Sequence, residues 1–310
     1  MPTKSEQIKG GLVGLLVGDA LGVPYEFHSP EAIPPLEAIE FTPPAGFHRT
    51  YPGIPAGTWS DDGAQALCLL ASLLACDSLN LKDLSQRFLN WYENGYMAVE
   101  NHVFDVGNQT SRALNAIRAG MPPLEAGMLG KNAKGNGSLM RVLPLVLWHR
   151  GTDAELVEAA HLQSRVTHGQ ITCQVCCALY CLWAKRILEQ VANPWQAAVS
   201  TLRQLYLSDL LYAVDLEETI RPDQPPHGTG TGYVVDCLHS ARLALEAGSY
   251  EQVVKAAVAL GNDTDTTACV AGGLAGLRDG IEAIPDRWQQ QLRGKALFEP
   301  LLQKLLIKSP

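Results

Sequence analysis

The 310-residue sequence is poor in basic residues, with 24 Lys and Arg against 32 Asp and Glu and a formal net charge of −8. Proteins that bind nucleic acids broadly need clustered Lys and Arg on one face. The charge balance therefore argues against a broad nucleic-acid interface. It leaves room for a small anionic ligand held by backbone N–H groups.

Long apolar runs are also missing, because no stretch approaches the roughly 20 consecutive apolar residues that a membrane-spanning helix needs. The apolar segment at residues 10–23 is interrupted by Asp19 and lacks a convincing cleavage site for a signal peptide. We interpret this segment as a buried helix. We expect a cytoplasmic protein with no membrane partner.

The eight cysteines give no sign of a disulfide framework or a zinc site. Half of them crowd residues 173–181, where Cys173, Cys177 and Cys181 would share one face of a helix. A zinc site needs four ligands that converge from separate segments or turns, and disulfides are unusual in a cytosolic chain. We therefore predict reduced thiols in a core helix.

The sequence has no clear alternating strand pattern, no repeat at fixed spacing and no low-complexity tract. Apolar residues instead recur every three or four positions, as at Ile8 and Leu12, over most of the chain. Several periodic segments end at glycine, such as Gly120 and Gly280. The pattern predicts an all-α fold of ten or more helices that forms a single domain over residues 1–310.

Two segments lack helical periodicity and are rich in helix-breaking residues. Residues 27–57 contain seven of the 19 prolines, and residues 221–232 have the sequence RPDQPPHGTGTG. Long irregular segments inside a compact domain often carry function. We expect both to shape the rim of a binding site, although a solvated connection explains the second segment equally well.

Paired carboxylates stand at two predicted helix starts, in GTWSDDG at residues 57–63 and GNDTDT at residues 261–266. Capping explains one acidic or hydroxyl side chain at each start, but a second buried carboxylate costs desolvation and repulsion. The alternative is that the two starts converge on divalent cations, since Mg²⁺, Mn²⁺ and Ca²⁺ prefer oxygen ligands. The ligands would then be Ser60, Asp61, Asp62, Asp263, Asp265 and Thr266.

Seven segments carry a resemblance to a known family. They are GDALGVPYEF (18–27), GTWSDDGAQAL (57–67), DVGNQTSRAL (105–114), GNGSLMRVLPL (135–145), VTHGQ (166–170), GTGYVVDCLHSARLAL (230–245) and ALGNDTDTTACVAGGLAGL (259–277). Together they resemble the ADP-ribosylglycohydrolases, which include dinitrogenase reductase-activating glycohydrolases and the ADP-ribosylarginine and ADP-ribosylserine hydrolases. The matches follow the family order over nearly the whole chain.

The resemblance implies a compact all-α fold with a binuclear Mg²⁺ or Mn²⁺ centre in a cleft. It implies hydrolysis of the bond between the ribose of ADP-ribose and a protein side chain, such as arginine or serine, or a small-molecule acceptor. The six candidate ligands named above fall on the two metal motifs of the family. The substrate-binding positions of the family fall on Gly107, Asn108, Asn136, Gly137, Ser138 and His168.

Several residues have a predicted role in catalysis or binding. Asp61 or Asp62 would accept a proton from the attacking water, and Glu26 is an alternative base or acid. His168 is interpreted as a ligand contact and not as a proton carrier. Tyr233 either stacks on adenine or is a buried residue at a helix start. Two cations would bind the ribose diol and lower the pKa of the water.

The sequence also departs from the family pattern. Ser60 replaces the commoner Thr and keeps the hydroxyl group, whereas Gly63 replaces a Thr or Ser, so that one hydrogen bond around the metal ligands would be missing. Residues 132–134 do not follow the animal members, which leaves ligand contacts there undefined. We expect Asp19 and Asp105 to accept hydrogen bonds from the backbone inside the core.

Two other functions are compatible with this sequence. An inert binding or structural protein could keep the fold without the chemistry, although retention of all six ligand positions disfavours it. A di-metal hydrolase of other nucleotide derivatives would cleave a phosphoester and leave the glycosidic bond intact. The sequence does not define the acceptor that is linked to ADP-ribose.

Overall fold

The computed structural model describes residues 1–308, which form helices joined by irregular segments. The α-helices are α1 (Lys4–Gly22), α2 (Asp61–Cys76), α3 (Leu81–Asn94), α4 (Asn108–Arg118), α5 (Pro123–Ala126), α6 (Leu143–Trp148), α7 (Asp153–Arg165), α8 (Ile171–Leu188), α9 (Pro194–Leu205), α10 (Leu210–Val214), α11 (Val234–Ala244), α12 (Tyr250–Ala259), α13 (Thr264–Asp279), α14 (Asp286–Gln291) and α15 (Lys295–Ile307).

Short helical turns join these helices. Among residues 1–308, six are 3₁₀ turns, at Val23–Tyr25, Pro30–Ala32, Leu36–Ala38, Val99–Asn101, Leu245–Ala247 and Ile281–Ala283, and one is a π turn at Asp215–Ile220. The bridging β-structure within residues 1–308 is one isolated antiparallel pair, between Gly135 and Tyr233. The predicted all-α class is confirmed.

The helix boundaries follow the capping signals in the sequence. Thr3 starts α1 with a capping box, in which its side chain accepts from the N–H of Glu6 while the Glu6 carboxylate accepts from the N–H of Thr3. Gly280 ends α13 with a φ of 82°, a conformation that glycine adopts without a Cβ penalty. Local sequence signals therefore define where α1 begins and where α13 ends.

Helices α1 and α8 occupy the interior, and most of their side chains are buried. By length and hydropathy alone, Lys4–Tyr25 and Ile171–Leu188 would be long enough to cross a membrane, which corrects the expectation that no stretch approaches that length. In the structure, 94% and 78% of their most apolar windows are buried against the rest of the protein. Cys173, Cys177 and Cys181 lie buried on α8 as free thiols, as predicted.

Helix α1 lies in backbone contact with α13, because glycines repeat every four residues along the face of α1 that meets it. A Cβ added to Gly10 would lie 2.2 Å from the Gly276 carbonyl oxygen, and one added to Gly18 would lie 2.0 Å from the Ala268 oxygen. At the end of α1, a Cβ on Gly22 would lie 2.3 Å from the Cα of Asp265. Only glycine fits these contacts, which fix the start of α13 against the end of α1.

We expect Gly22→Ala to destabilise the fold and to displace Asp265. Overpacking a well-packed site costs about 1–3 kcal/mol, so the free energy of unfolding should fall by roughly that amount. Gly53→Ala is the matched control, since a Cβ there meets nothing within 4 Å. Chemical denaturation of both variants measures the difference, and equal stabilities would contradict the packing argument.

The two irregular segments are ordered by side chains elsewhere in the chain. In residues 27–57, the Glu40 carboxylate accepts from Arg287 at 2.9 Å and from the indole N–H of Trp288. In residues 221–232, the Asp236 carboxylate accepts backbone N–H groups of the loop at 3.0 and 2.7 Å. Both loops are therefore fixed onto the helices and do not behave as free connections.

Candidate active site

A cleft with a volume of about 340 Å³ opens where several helix starts meet. Its walls carry acidic side chains on one part and glycine-rich backbone on another. The lining residues are Glu26, Phe27, Asp61, Asp62, Asp105, Val106, Gly107, Asn108, Gln109, Thr110, Gly135, Asn136, Gly137, Met140, His168, Asp263 and Thr266.

The start of α2 delivers Asp61 and Asp62 to this cleft. The Ser60 hydroxyl is the N-cap and accepts from the N–H of Asp62 at 3.3 Å. Asp19, buried on α1, accepts from the N–H groups of Ser60 at 2.8 Å and Gly63 at 2.7 Å. These bonds cap the helix start, so the side chains of Asp61 and Asp62 are not needed as caps and line the cleft. The expected backbone bonding of Asp19 is confirmed.

Packing explains why glycine stands at position 63, where the family pattern has Thr or Ser. A Cβ at this position would lie 2.8 Å from Cδ2 of Leu16 and 2.8 Å from Cγ of Trp59. The backbone passes too close to these two side chains for a larger residue. Gly63 also keeps its N–H bonded to Asp19, so the position holds the α2 start through its main chain.

The start of α13 converges on the start of α2. Asp263 occupies the N-cap position but its side chain caps nothing, and it accepts instead from the Asn136 amide at 2.9 Å. The Thr266 hydroxyl donates to Asp62 Oδ1 at 3.3 Å, which joins two segments 204 residues apart. Capping alone therefore does not describe the paired carboxylates.

Glu26 reaches the same cleft from the turn that follows α1. The N–H of Phe27 donates to the Asn262 carbonyl, and the N–H of Asn262 donates to the His28 carbonyl, both at 2.6 Å. This two-way pairing holds the segment after α1 against the segment before α13. Glu26 is 2% exposed, and its side chain lies among the aspartates.

Asp105 was expected to bond to backbone in the core, and the structure corrects this. Its carboxylate lines the cleft, accepts from the Tyr51 hydroxyl at 2.8 Å, and lies with Glu26 and Asp265 so that one oxygen of each falls within 4.8 Å of the others. The sequence signal was present, because Asp105 opens a family-like segment just before α4. Tyr51 comes from the irregular segment 27–57 and carried no pattern that marked it.

The acidic residues raise the energy of one another's charged forms. Burial is the main reason that the pKa of Glu26 rises to about 10, and the charges of Asp105 and Asp263 raise it further. Burial, with repulsion from the neighbouring carboxylates added, also raises the pKa well above the usual range for Asp61, Asp62 and Asp265. The carboxyl groups of the cluster therefore either hold protons or need a bound cation to be ionised.

The chemistry of these side chains fits a hard divalent cation. One buried oxygen each of Glu26, Asp62 and Asp265 has no hydrogen-bond partner in the part of the chain that the structure describes. An orphaned buried carboxylate oxygen is costly, and Mg²⁺, Mn²⁺ and Ca²⁺ bind such oxygens directly. The partners that the cluster does have are neutral hydroxyl and amide groups, as at Thr266 and Asn136. The acidic cluster is therefore a candidate metal site.

The other part of the cleft offers backbone and neutral groups. Gly107 precedes α4, and Gly107 and Asn108 line the cleft at the N-terminus of that helix. Gln109 joins this helix start to the glycine turn, because its Oε1 accepts from the N–H of Gly135 at 2.8 Å. The helix start and the turn containing Gly137 thus form one wall, of the kind that suits phosphate groups.

His168 lies beneath the glycine turn as a neutral imidazole. Its Nδ1 is 2.8 Å from the Thr167 hydroxyl, and a Cβ on Gly137 would lie 2.8 Å from its Cε1. Burial lowers the pKa of His168 to about 3, with a further contribution from the charge of Arg141. Such a residue does not carry protons near neutral pH, and its contact with a ligand stays a prediction.

Four predicted site residues lie outside the lining of the cleft. The Ser138 hydroxyl is fully buried, accepts from Ser164 at 2.8 Å and does not line the cleft. The Ser60 hydroxyl caps α2 and is likewise outside the lining. Tyr233 is 39% exposed, pairs through its backbone with Gly135 and is also outside the lining. Asp265 is fully buried and outside the lining, although one of its oxygens lies within 4.8 Å of oxygens of Glu26 and Asp105. Each shapes the site through the segment that it holds.

Comparison with known proteins adds an independent observation to this geometry. The sequence model of the ADP-ribosylglycohydrolase family matches residues 1–310. The chain belongs to the ADP-ribosylglycohydrolase family. The expectation from the seven quoted segments is therefore confirmed.

Relatives within the ADP-ribosylglycohydrolase family are similar over most of their length. ADP-ribosylarginine hydrolase Tri1 of Pseudomonas putida is 27% identical over 307 residues, which cover 98% of this chain and 79% of the relative. ADP-ribosyl-[dinitrogen reductase] glycohydrolase of Rhodospirillum rubrum is 25% identical over 94% of this chain and 92% of the relative. A solved structure of an ADP-ribosylglycohydrolase-related protein complex gives a TM-score of 0.77 with 31% identity, and the match covers 99% of both chains.

Proposed function

We propose that this protein hydrolyses the glycosidic bond between ADP-ribose and an acceptor, with two Mg²⁺ or Mn²⁺ ions held by the acidic cluster. The observation that carries the proposal is the meeting of the α2 and α13 starts, where Thr266 bonds to Asp62 beside buried carboxylate oxygens that have no partner. Membership of a glycohydrolase family supports the reaction class.

The residues that would hold the cations are the carboxylates of the two helix starts. Bound there, divalent cations supply Lewis-acid stabilisation of the ribose oxygens and of the attacking water. The set proposed from the sequence comprises Ser60, Asp61, Asp62, Asp263, Asp265 and Thr266. Because the Ser60 hydroxyl already caps α2, its contribution is to orient Asp62 as well as to offer a lone pair.

The protein's own groups supply the proton transfers. Asp61 or Asp62 would take the proton from the attacking water, which lies over the acidic part of the cleft in this proposal. Glu26, with its raised pKa, suits the donation of a proton to the departing acceptor atom. As that bond breaks, the ribose gains oxocarbenium character, which the surrounding carboxylates stabilise.

The opposite wall would bind the rest of ADP-ribose. Gly107, Asn108 and the turn from Asn136 to Gly137 present backbone next to the cleft, and the N-terminus of α4 favours negative charge. His168 is a neutral contact below this turn. Ser138 would support the turn from behind, and Tyr233 would offer its exposed ring to the adenine at the edge of the cleft.

We propose arginine as the acceptor that is removed. A guanidinium group is a planar cation, and the acidic end of this cleft attracts cations. Phe27 lines that end with a side chain that is 68% exposed and a backbone φ of 60°, so an aromatic face stands where a guanidinium can stack. Similarity to an ADP-ribosylarginine hydrolase supports the same choice. A cytoplasmic enzyme of one domain, with no membrane partner, completes the proposal.

The proposed reaction is tested with a panel of defined substrates in Mg²⁺ and in Mn²⁺. We expect release of free ADP-ribose from ADP-ribosyl-arginine, with a lower kcat/KM for ADP-ribosyl-serine. Free ADP-ribose is measured by chromatography. No release from any substrate, with metal present, would contradict hydrolysis, and faster release from the serine conjugate would contradict the proposed acceptor.

The same experiment separates the two rival functions. An inert family member would bind ADP-ribose without turnover, which calorimetry detects. A hydrolase of other nucleotide derivatives would cleave a phosphoester and leave ribose joined to its acceptor, which product analysis reveals.

A further inference from the structure

Arg141 is a buried cation next to the acidic cluster but not in contact with it. Its side chain is 0% exposed and lies with its guanidinium carbon 4.5 Å above the ring of Phe88. Its hydrogen-bond acceptors are neutral: Gln65 Oε1 at 2.7 Å, Gln163 Oε1 at 3.1 Å and the Gln163 carbonyl at 3.0 Å. A buried charge with neutral partners is costly unless opposite charge lies within reach.

Gln65 connects this cation to the cluster. The residue is fully buried on α2, one turn after Asp61, and its Nε2 donates to Asp61 Oδ2 at 3.0 Å while its Oε1 accepts from Arg141. Arginine only donates and an ionised carboxylate only accepts. The amide of Gln65 can therefore satisfy both neighbours in a single orientation, which makes the chain Arg141–Gln65–Asp61 directional.

We propose that Arg141 and Gln65 are positioning residues for metal binding. The relay holds one oxygen of Asp61 toward Gln65, so that the other is presented to a cation in the cleft, and Arg141 supplies the buried positive charge behind it. The inference rests on the proposed metal-dependent function. Partners that orient ligating carboxylates typically change metal affinity by about 10–100-fold when removed.

The test compares Gln65→Leu with Gln163→Leu, a matched control. Gln163 is equally buried and also accepts from Arg141, but the hydrogen bonds of its side chain run to Arg141 and to the backbone of Ser138 and Ala160. We expect Gln65→Leu to raise the Mn²⁺ dissociation constant, measured by calorimetry, about 10–100-fold. Gln163→Leu should keep the wild-type constant even where its melting temperature falls.

A second pair of variants keeps the test decisive if Gln65→Leu folds poorly. Arg141→Lys retains a buried cation that can donate to Gln65, and Arg141→Met does not, so the Lys variant should bind Mn²⁺ more tightly than the Met variant. Equal Mn²⁺ constants for wild type and Gln65→Leu, or for the two Arg141 variants, would overturn the relay. A wild-type protein that binds no Mn²⁺ would instead refute the metal site itself.

Discussion

Asp265→Asn is expected to reduce kcat/KM about 1,000-fold, because a metal centre supplies several kcal/mol of transition-state stabilisation and each 1.36 kcal/mol is a factor of ten. The substitution is nearly isosteric. Asp265 Oδ1 accepts from the N–H of Thr266 at 2.8 Å, and an asparagine oxygen can keep that bond. The loss would therefore reflect the missing charge and not a damaged helix start.

The same variant should be more stable than wild type when metal is removed. Burial, with repulsion from the neighbouring carboxylates added, raises the pKa of Asp265. Near neutral pH the folded state must therefore hold a proton that the unfolded state releases, which lowers its stability. A stabilisation of 1 kcal/mol corresponds to a melting temperature about 2–4 °C higher. Differential scanning calorimetry in chelator tests this, with Glu282→Gln as an exposed control that carries the same change in charge.

An Asp265→Asn protein that is both inactive and less stable in chelator would contradict this account, since it would point to a structural role for the carboxylate. Full activity would contradict the metal role. Activity and stability moving in opposite directions is the signature expected of a functional carboxylate that the fold holds at a cost in stability.

The convergence of the two acidic helix starts could be predicted from the sequence, because each start carries more carboxylates than a cap needs. The sequence did not reveal what holds the starts together. Glycines at positions 10, 14, 18 and 22 are visible as a four-residue repeat, yet which helix they meet depends on tertiary packing. Local sequence patterns indicate which side chains could bind a cation. The packing of α1 against α13 is what brings those side chains together.

Individual side chains were harder to place than segments. Ser138 and Tyr233 lie in family-like segments that do border the site. The local backbone conformation nevertheless directs the Ser138 hydroxyl into the core and leaves the Tyr233 side chain partly exposed. Asp105 lay in another such segment and was interpreted as structural. No periodicity tells which face an irregular stretch turns toward a cleft, so these orientations needed the structure.

The stability of the folded protein should depend on both pH and bound metal. The pH dependence can be tested at Glu26. Its pKa rises to about 10 in the folded protein, against about 4.3 in an unfolded chain. Between these values the folded state keeps a proton that the unfolded state releases. The stabilising contribution of protonated Glu26 is thus complete below about pH 4 and is lost as pH rises through 10.

Buried thiols add a fall of the same sign above about pH 8, because burial raises the pKa of residues such as Cys68 and Cys176. The difference between wild type and Glu26→Gln removes that background. In chelator, the melting temperature of wild type should fall more steeply from pH 7 to pH 10 than that of Glu26→Gln. His168, with a pKa of about 3, does not titrate in this window.

Divalent cations should reverse the trend, because a cation competes with protons for the same oxygens. Mn²⁺ at about 100 times its dissociation constant stabilises the folded state by about 2.7 kcal/mol, or about 5 °C at roughly 2 °C per kcal/mol. At one fixed Mn²⁺ concentration, the increase in melting temperature caused by Mn²⁺ should grow from pH 6 to pH 8 in wild type. The increase should be smaller in Asp265→Asn at each pH. An Mn²⁺ increment that is constant with pH would mean that the cation binds away from the protonated carboxylates, and the acidic cleft would lose its assignment as the metal centre.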